Sequence, residues 1–189
     1  MSSSKSDRKS VFRRDCLDEL KKEIKFNSYR KDKDILGILY SLIDEYGAKD
    51  IMLYTPLSIE VDIYPLINRL RREKKNIFVP FMDGKSFRLV KYRLPLKKKK
   101  FGIKEPNNSK QYRVKKIDLA IVPIVGIDIS KKRIGFGKGM YDRFFEKENK
   151  NIKKTIFVSR KLCRSLDILT DIYDIKADII VTHARVLKG

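Results

Sequence analysis

Apolar residues recur along this chain at two spacings, and the switching between them predicts its elements. Phe12, Cys16, Leu20 and Ile24 stand four apart, one stripe of an amphipathic helix over residues 9–26. Ile35, Ile38, Leu39, Leu42 and Ile43 mark a second helix over 34–46, stopped by Gly47. The short apolar run 50–55 (DIMLYT) predicts a buried strand, and after Pro56 and Ser58 helical spacing returns over 59–73 through Ile63, Leu66, Ile67 and Leu70. Residues 76–80 predict the next strand, and 87–92 alternate like a strand with one wet face. Pro95, Gly102, Pro106 and the Asn107-Asn108-Ser109 cluster predict a long loop over 93–116. Residues 117–129 carry the strongest strand signal. A glycine-rich segment follows, then a helix over about 140–150 and strands at 155–158 and 178–182.

Strands alternating with helices in this way predict a three-layer α/β/α fold around a mainly parallel sheet. Ligands of such folds sit beyond the carboxyl ends of the strands, where the glycine-rich segment falls. A chain of 189 residues can bury one full core, and no internal repeat divides it. The expectation is a single domain over 9–189 behind a frayed tail at 1–8.

Composition narrows the functional classes. No apolar stretch approaches the roughly 20 residues needed to cross a bilayer. The polar start MSSSKSDRKS lacks the apolar core of a signal peptide, so a cytoplasmic location is expected. Cys16 and Cys163 lie far apart with no metal-ligand pattern near them, and are expected to be reduced, inert thiols. His183 is the sole histidine, which excludes a multi-histidine metal site and is expected to be a surface or structural residue. The net charge of +21, from 45 Lys+Arg against 24 Asp+Glu, concentrates anions without choosing among nucleotides, polyglutamylated or phosphorylated small molecules and nucleic acid. Its densest run, 97–100, reads as a solvated loop face, and no nucleic-acid motif accompanies it.

Candidate chemistry centres on residues 133–142 (RIGFGKGMYD), where Gly135, Gly137 and Gly139 alternate. Such glycines let backbone amides approach a ligand closely. The helix that follows adds unpaired N–H groups and a positive dipole end. Arg133 can fork onto two phosphate oxygens, and Lys138 adds a mobile point charge. Asp142 could help to hold Mg²⁺. The competing reading is a tight strand-to-helix turn with charges for solubility. The segment is not a Walker sequence, since no Ser or Thr follows Lys138, and Met140 stands where GxGxxG needs its third glycine. Lys9 and Arg13, four apart on one helix face, either reach a common anion or form a solvated stripe. Glu60, beyond the strand that ends at Tyr54, either meets a ligand or compensates a helix dipole.

Taken together, these residues resemble the 5-formyltetrahydrofolate cyclo-ligase family. The likeness runs through Lys9 to Arg13 (KSVFR), Tyr54 with Glu60, a strand ending in Pro80, and Gly-Ile-x-Glu-Pro at 102–106. It continues through Pro123 to Asp142, its most specific block, and the closing Asp178-Ile-Ile-Val-Thr182. The resemblance implies a fold related to ribose-phosphate isomerase and CoA-transferase domains. It implies an ATP-dependent reaction in which the formyl oxygen of 5-formyltetrahydrofolate is phosphorylated, N10 attacks the activated carbon, and phosphate leaves. It also implies that Lys9, Arg13, Arg133, Gly135, Gly137, Lys138, Gly139, Met140, Tyr141 and Asp142 bind ATP, with Arg133 and Lys138 catalytic and Asp142 on Mg²⁺. Tyr54, Glu60 and Tyr141 would meet the folate. The implied partners are ATP and a folate, with no membrane and no nucleic acid, and the basic surface extends the expected folates to polyglutamylated forms. The chain departs from the family pattern at Met140 (usually tyrosine), Ile124 (glycine), Arg160 (glutamine) and His183 (glutamate). Two other readings stand beside this one: a basic nucleic-acid-binding protein, and a sugar-phosphate isomerase-like enzyme that needs a carboxylate pair and no ATP.

Overall fold

The computed structural model of the protein describes residues 4–25, 27–99, 104–106 and 115–188. The first helix, α1 (Lys5–Lys25), starts inside the expected tail. The reason is a reciprocal cap: Ser4 Oγ donates to Asp7 Oδ2 at 2.7 Å, and the Asp7 amide donates back to Ser4 Oγ at 3.1 Å. Of the tail expected at 1–8, residues 4–8 are corrected to a capped first turn, which Lys5 and Arg8 tie down by ion pairs to Asp171 and Asp167; residues 1–3 lie outside the described residues.

From there the chain runs α2 (Ser28–Glu45), β1 (Asp50–Met52), α3 (Tyr64–Arg72), β2 (Asn76–Asp83) and β3 (Ser86–Lys91). It continues as β4 (Leu96–Lys98), β5 (Lys104–Pro106), β6 (Leu119–Pro123), β7 (Gly126–Ile127) and β8 (Arg133–Ile134). The last elements are α4 (Met140–Glu148), β9 (Thr155–Val158), β10 (Ile179–Val181) and β11 (Val186–Lys188). Seven strands make the main sheet, in the order β11-β10-β9-β6-β1-β2-β3. The five central strands are parallel, and an antiparallel strand closes each edge.

Side chains alternate across this sheet and feed two cores. Ile51, Leu53, Ile121 and Ile156 pack with Ile35 and Leu39 of α2 and Leu66 and Leu70 of α3 on one face. Met52, Val122 and Phe157 pack with Phe144 and Phe145 of α4 on the other. The three layers are therefore as expected, with α1 laid across one end, where Cys16 and Leu20 bury against Val125.

Four expectations change in detail. The stretch 93–116 contains a hairpin, β4 with β5, in which Glu105 turns inward and accepts the Met82 amide at 3.0 Å; Gly102 and Asn107-Asn108-Ser109 lie outside the described residues. The run 117–129 is not one strand: it leaves the sheet at Ile124 and pairs again as β7 with β8. Helix α3 begins at Tyr64, with Pro65 in its first turn, leaving 57–62 as a loop. The cysteines are not free thiols. Cys16 and Cys163, with Cα atoms 5.9 Å apart, form a disulfide that fastens α1 to the segment after β9. Tertiary folding brings together two residues separated by 147 positions, which spacing along the chain cannot reveal. Among the described residues, no helix is long and apolar enough to cross a membrane.

Candidate functional site

After β1 the chain adds β2 on one side, and β6 returns to the other side of β1. That reversal opens a crevice above the carboxyl ends of β1 and β6, the usual place for a ligand in a parallel sheet. Two cavities fill it. One, of about 440 Å³, is lined by six cationic side chains (Lys5, Lys9, Arg13, Arg133, Lys138, Arg143), by four acids (Asp142, Glu146, Asp171, Asp174), and by Gly135, Gly137 and Gly139. The other, of about 220 Å³, is apolar, walled by Tyr54, Leu57, Pro80, Met82, Phe87, Phe136, Met140 and Tyr141, with Glu60 at its edge. Arg133, Lys138 and Gly139 line both.

Arg133 is the hinge of this arrangement and is almost fully buried. Its Nε and Nη2 donate to the Pro123 carbonyl at 3.1 and 3.0 Å, Nη1 stands 3.8 Å from Asp142 Oδ2, and the guanidinium lies 4.8 Å over the Tyr141 ring. Gly135 makes room for it: a Cβ there would stand 2.2 Å from Arg133 Nη1. The glycine therefore serves side-chain packing, which the sequence pattern alone does not show. Gly139 has φ +60 and starts α4 in a conformation few other residues adopt, so the first turn of α4 presents its amides beside the cationic cavity.

The first helix delivers its two cations as the four-residue spacing predicted. Arg13 Nε donates to the Gly135 carbonyl at 2.8 Å, and Lys9 Nζ pairs with the buried Asp174 at 2.5 Å. Lys9 thus enters the cavity already neutralised. Asp128, wholly buried, accepts the Leu169 and Thr170 amides and holds that wall of the cavity in place. Met140, expected among the ATP residues, lines the apolar cavity instead, and Tyr141, expected to meet both ATP and the folate, lines that cavity too; the helix turns the next two residues, Asp142 and Arg143, to the cationic side.

Sequence reasoning missed Lys5, Arg143 and Asp174. Arg143 Nε donates to the Lys85 carbonyl at 2.7 Å, and its Nη2 to the Lys138 carbonyl at 2.5 Å, so it braces the glycine loop from outside. Its place one turn beyond Gly139 was the available signal; Asp174, in an irregular segment, offered none. Tyr54 turns out to be held rather than presented: its hydroxyl donates to the Val61 carbonyl at 2.9 Å, leaving the ring as cavity wall. His183 is exposed and away from both cavities, as expected of a surface residue.

Desolvation tunes the acids. Glu60 accepts the Leu57 amide at 2.8 Å, yet the apolar surroundings raise its carboxyl to about 7. Burial also raises Asp142, against the pull of Arg133, and leaves its Oδ1 without a hydrogen-bond partner. Burial pushes the Tyr54 and Tyr141 hydroxyls above the ordinary tyrosine range, so both stay protonated. No cluster of three or more metal-ligating side chains occurs among the described residues. A divalent ion would have to take most of its ligands from elsewhere.

The model of the 5-formyltetrahydrofolate cyclo-ligase family matches residues 5–184. The chain belongs to that family. A 5-formyltetrahydrofolate cyclo-ligase of Haemophilus influenzae is 32% identical over 122 residues, which cover 61% of this chain and 65% of that protein, just under two thirds. A probable cyclo-ligase of Schizosaccharomyces pombe is 30% identical over 75% of this chain and 78% of its own length. The structure of an Aquifex aeolicus 5,10-methenyltetrahydrofolate synthetase aligns at TM-score 0.76 and 28% identity, covering 95% of this chain and 92% of that one. A cyclo-ligase site must hold a nucleotide and a folate against each other. In this member, a cationic and an apolar cavity meet at Arg133 and Lys138.

Proposed function

We propose that the cationic cavity takes the triphosphate of ATP, that the apolar cavity takes the pterin end of 5-formyltetrahydrofolate, and that phosphoryl transfer occurs where they join. The observation that carries this reading is the sharing of Arg133, Lys138 and Gly139 by a phosphate-suited and a ring-suited cavity. The formyl oxygen is a poor leaving group until phosphorylated. Closing the ring therefore needs the γ-phosphoryl group and the formyl oxygen in line, more than it needs a covalent nucleophile.

Each residue has a role that follows from its setting. Arg133, pinned on Pro123 and unable to swing away, offers Nη1 at the junction, where negative charge grows on the transferring group. Lys138 adds a second positive charge at the same place. Arg13 and the first-turn amides of α4 hold the rest of the phosphate chain, and Lys9 joins them by sharing Asp174. Glu60, when ionised, accepts hydrogen bonds from the pterin ring N–H and amino group, while Met140, Phe87 and Tyr141 cover its faces. Asp142 suits Mg²⁺: its unpartnered Oδ1 would be one ligand, with phosphate oxygens and water as the others. When bound, the ion neutralises phosphate charge.

Purified protein should convert 5-formyltetrahydrofolate to the 5,10-methenyl product, read by its absorbance, only when ATP and Mg²⁺ are present. A folded protein that shows no turnover under those conditions sinks the assignment. Turnover without ATP would sink the phosphorylation step.

A further inference from the structure

The loop that carries Glu60 has no secondary structure of its own, yet it is held on either side of that residue by one buried ion pair. Asp32, in the second turn of α2, and Arg160, just after β9, are 7% and 5% exposed. They meet as a fork, with Arg160 Nε on Asp32 Oδ1 at 2.7 Å and Nη2 on Oδ2 at 2.8 Å. Neither lines either of the two cavities. Each has one bond to spare, and both go to the Glu60 loop. Arg160 Nη1 donates to the Ile59 carbonyl at 3.1 Å, and Asp32 Oδ2 accepts the Asp62 amide at 3.0 Å.

We propose that Asp32 and Arg160 are positioning residues for the folate half of the site, acting through the Ile59 carbonyl and the Asp62 amide to hold Glu60 at the wall of the apolar cavity. A buried ion pair is a poor source of stability, because desolvation offsets most of its attraction and an apolar pair of similar volume often serves as well. Its worth here lies in geometry. A guanidinium supplies donors in a fixed plane, so one residue can hold a carboxylate with one edge and a backbone carbonyl with another. Two rigid elements from distant parts of the chain thereby set the height of a coil segment that is otherwise held by Tyr54, by Glu60 itself and by the packing of Ile59 and Val61. The charged groups that bear on Glu60 are Arg133 and Arg160, and the hydroxyls of Tyr54 and Tyr141 stand near it. Arg160 therefore acts on Glu60 by charge as well as by position.

The inference rests on the folate reading of the apolar cavity, and its test separates the two. Breaking one partner strands a buried charge, so the informative variant is the apolar double, Asp32→Leu with Arg160→Met, beside Arg160→Lys. In the double variant KM for 5-formyltetrahydrofolate should rise by about tenfold or more, given how steeply rate depends on ångström placement, with KM for ATP within about twofold of wild type. The pH midpoint of kcat/KM for the folate should move upward, because a cation beside Glu60 is gone. Arg160→Lys, keeping charge and losing the fork, should raise KM and leave that midpoint in place. A folded double variant with unchanged KM for the folate, or with both KM values raised alike, overturns the proposal. Amide hydrogen exchange over 57–62 supplies the readout that does not depend on turnover. It should speed up in the double variant while α4 stays unchanged, and unaltered exchange there overturns the clamp even if wild-type protein proves inactive on the folate. Wild-type inactivity by itself counts against the folate reading and not against the clamp.

Discussion

Gly135 and Glu60 show how single residues in this site do work that their types alone do not announce. At Gly135 a methyl group would fall 2.2 Å from Arg133 Nη1 and 2.6 Å from its Cζ, and Arg133 cannot retreat, since Pro123 holds it from behind. Gly135→Ala should therefore act much as Arg133→Ala does. Each should lower kcat/KM by the equivalent of about 2–4 kcal/mol of transition-state stabilisation, the size seen for lost oxyanion donors. Steady-state rates decide it, and a loss below about threefold would mean the pair only shapes a turn. Under the proposed function, Glu60, raised to about 7, should make kcat/KM for the folate fall as pH drops through about 7, because only its ionised form would accept the pterin donors. Glu60→Gln should abolish that inflection. The stability sign is opposite. A carboxyl that titrates near 7 when folded and near 4.5 when unfolded binds its proton more tightly in the native state. Its contribution is full below 4.5 and is lost as pH rises through about 7. Urea midpoints measured between those limits should decline more for wild type than for Glu60→Gln.

Under the proposed function, helix α1 is the element on which the nucleotide half depends, and it is fastened at both its start and its middle. Its first turn is held by Lys5 on Thr170 and Asp171, and its middle by the Cys16–Cys163 disulfide, one turn from Arg13. Cross-linking residues 147 apart restricts the unfolded chain, an effect of about 2–4 kcal/mol in proteins generally. Reductant, or Cys163→Ser, should lower the melting temperature and raise KM for ATP more than KM for the folate. Thiol titration of unfolded, unreduced protein should find no free cysteine; two titratable thiols would refute the link. The periodicity of α1 was legible because helical spacing is a local property. The bond was not, since it depends on where the chain returns much later.

Across the whole molecule, the sheet places two chemically opposed cavities on a common border, and under the proposed function each takes a different substrate. Nucleotide alone should therefore stabilise the fold without the folate. At a hundredfold excess over Kd the gain is about 2.7 kcal/mol, which for a chain of this size shifts the melting temperature by several degrees. Scanning calorimetry with and without MgATP reads it, and an unchanged transition at saturating MgATP would remove the nucleotide from the cationic cavity. The main helix and strand periods and the glycine-rich segment beyond the most buried strand were legible in the sequence, because each follows from spacing between near neighbours, whereas the β4–β5 hairpin, the break after β6 and the edge strand β11 were not. The family pattern also brought Lys9, Arg13, Glu60 and Arg133 into one expectation.

What the sequence by itself determined was the class of fold and the residue types that a phosphate and a pterin would need. The tertiary structure decided what each of them does at rest. Lys9 is shared with Asp174, Tyr54 is spent on Val61, and Met140 and Tyr141 face the ring-suited cavity. It alone joined Cys16 to Cys163 and Asp32 to Arg160. The physical reason is the same for all of these. Periodicity records which way a side chain points relative to its neighbours in sequence, whereas a buried charge or polar group takes its partner from whichever segment the fold packs against it.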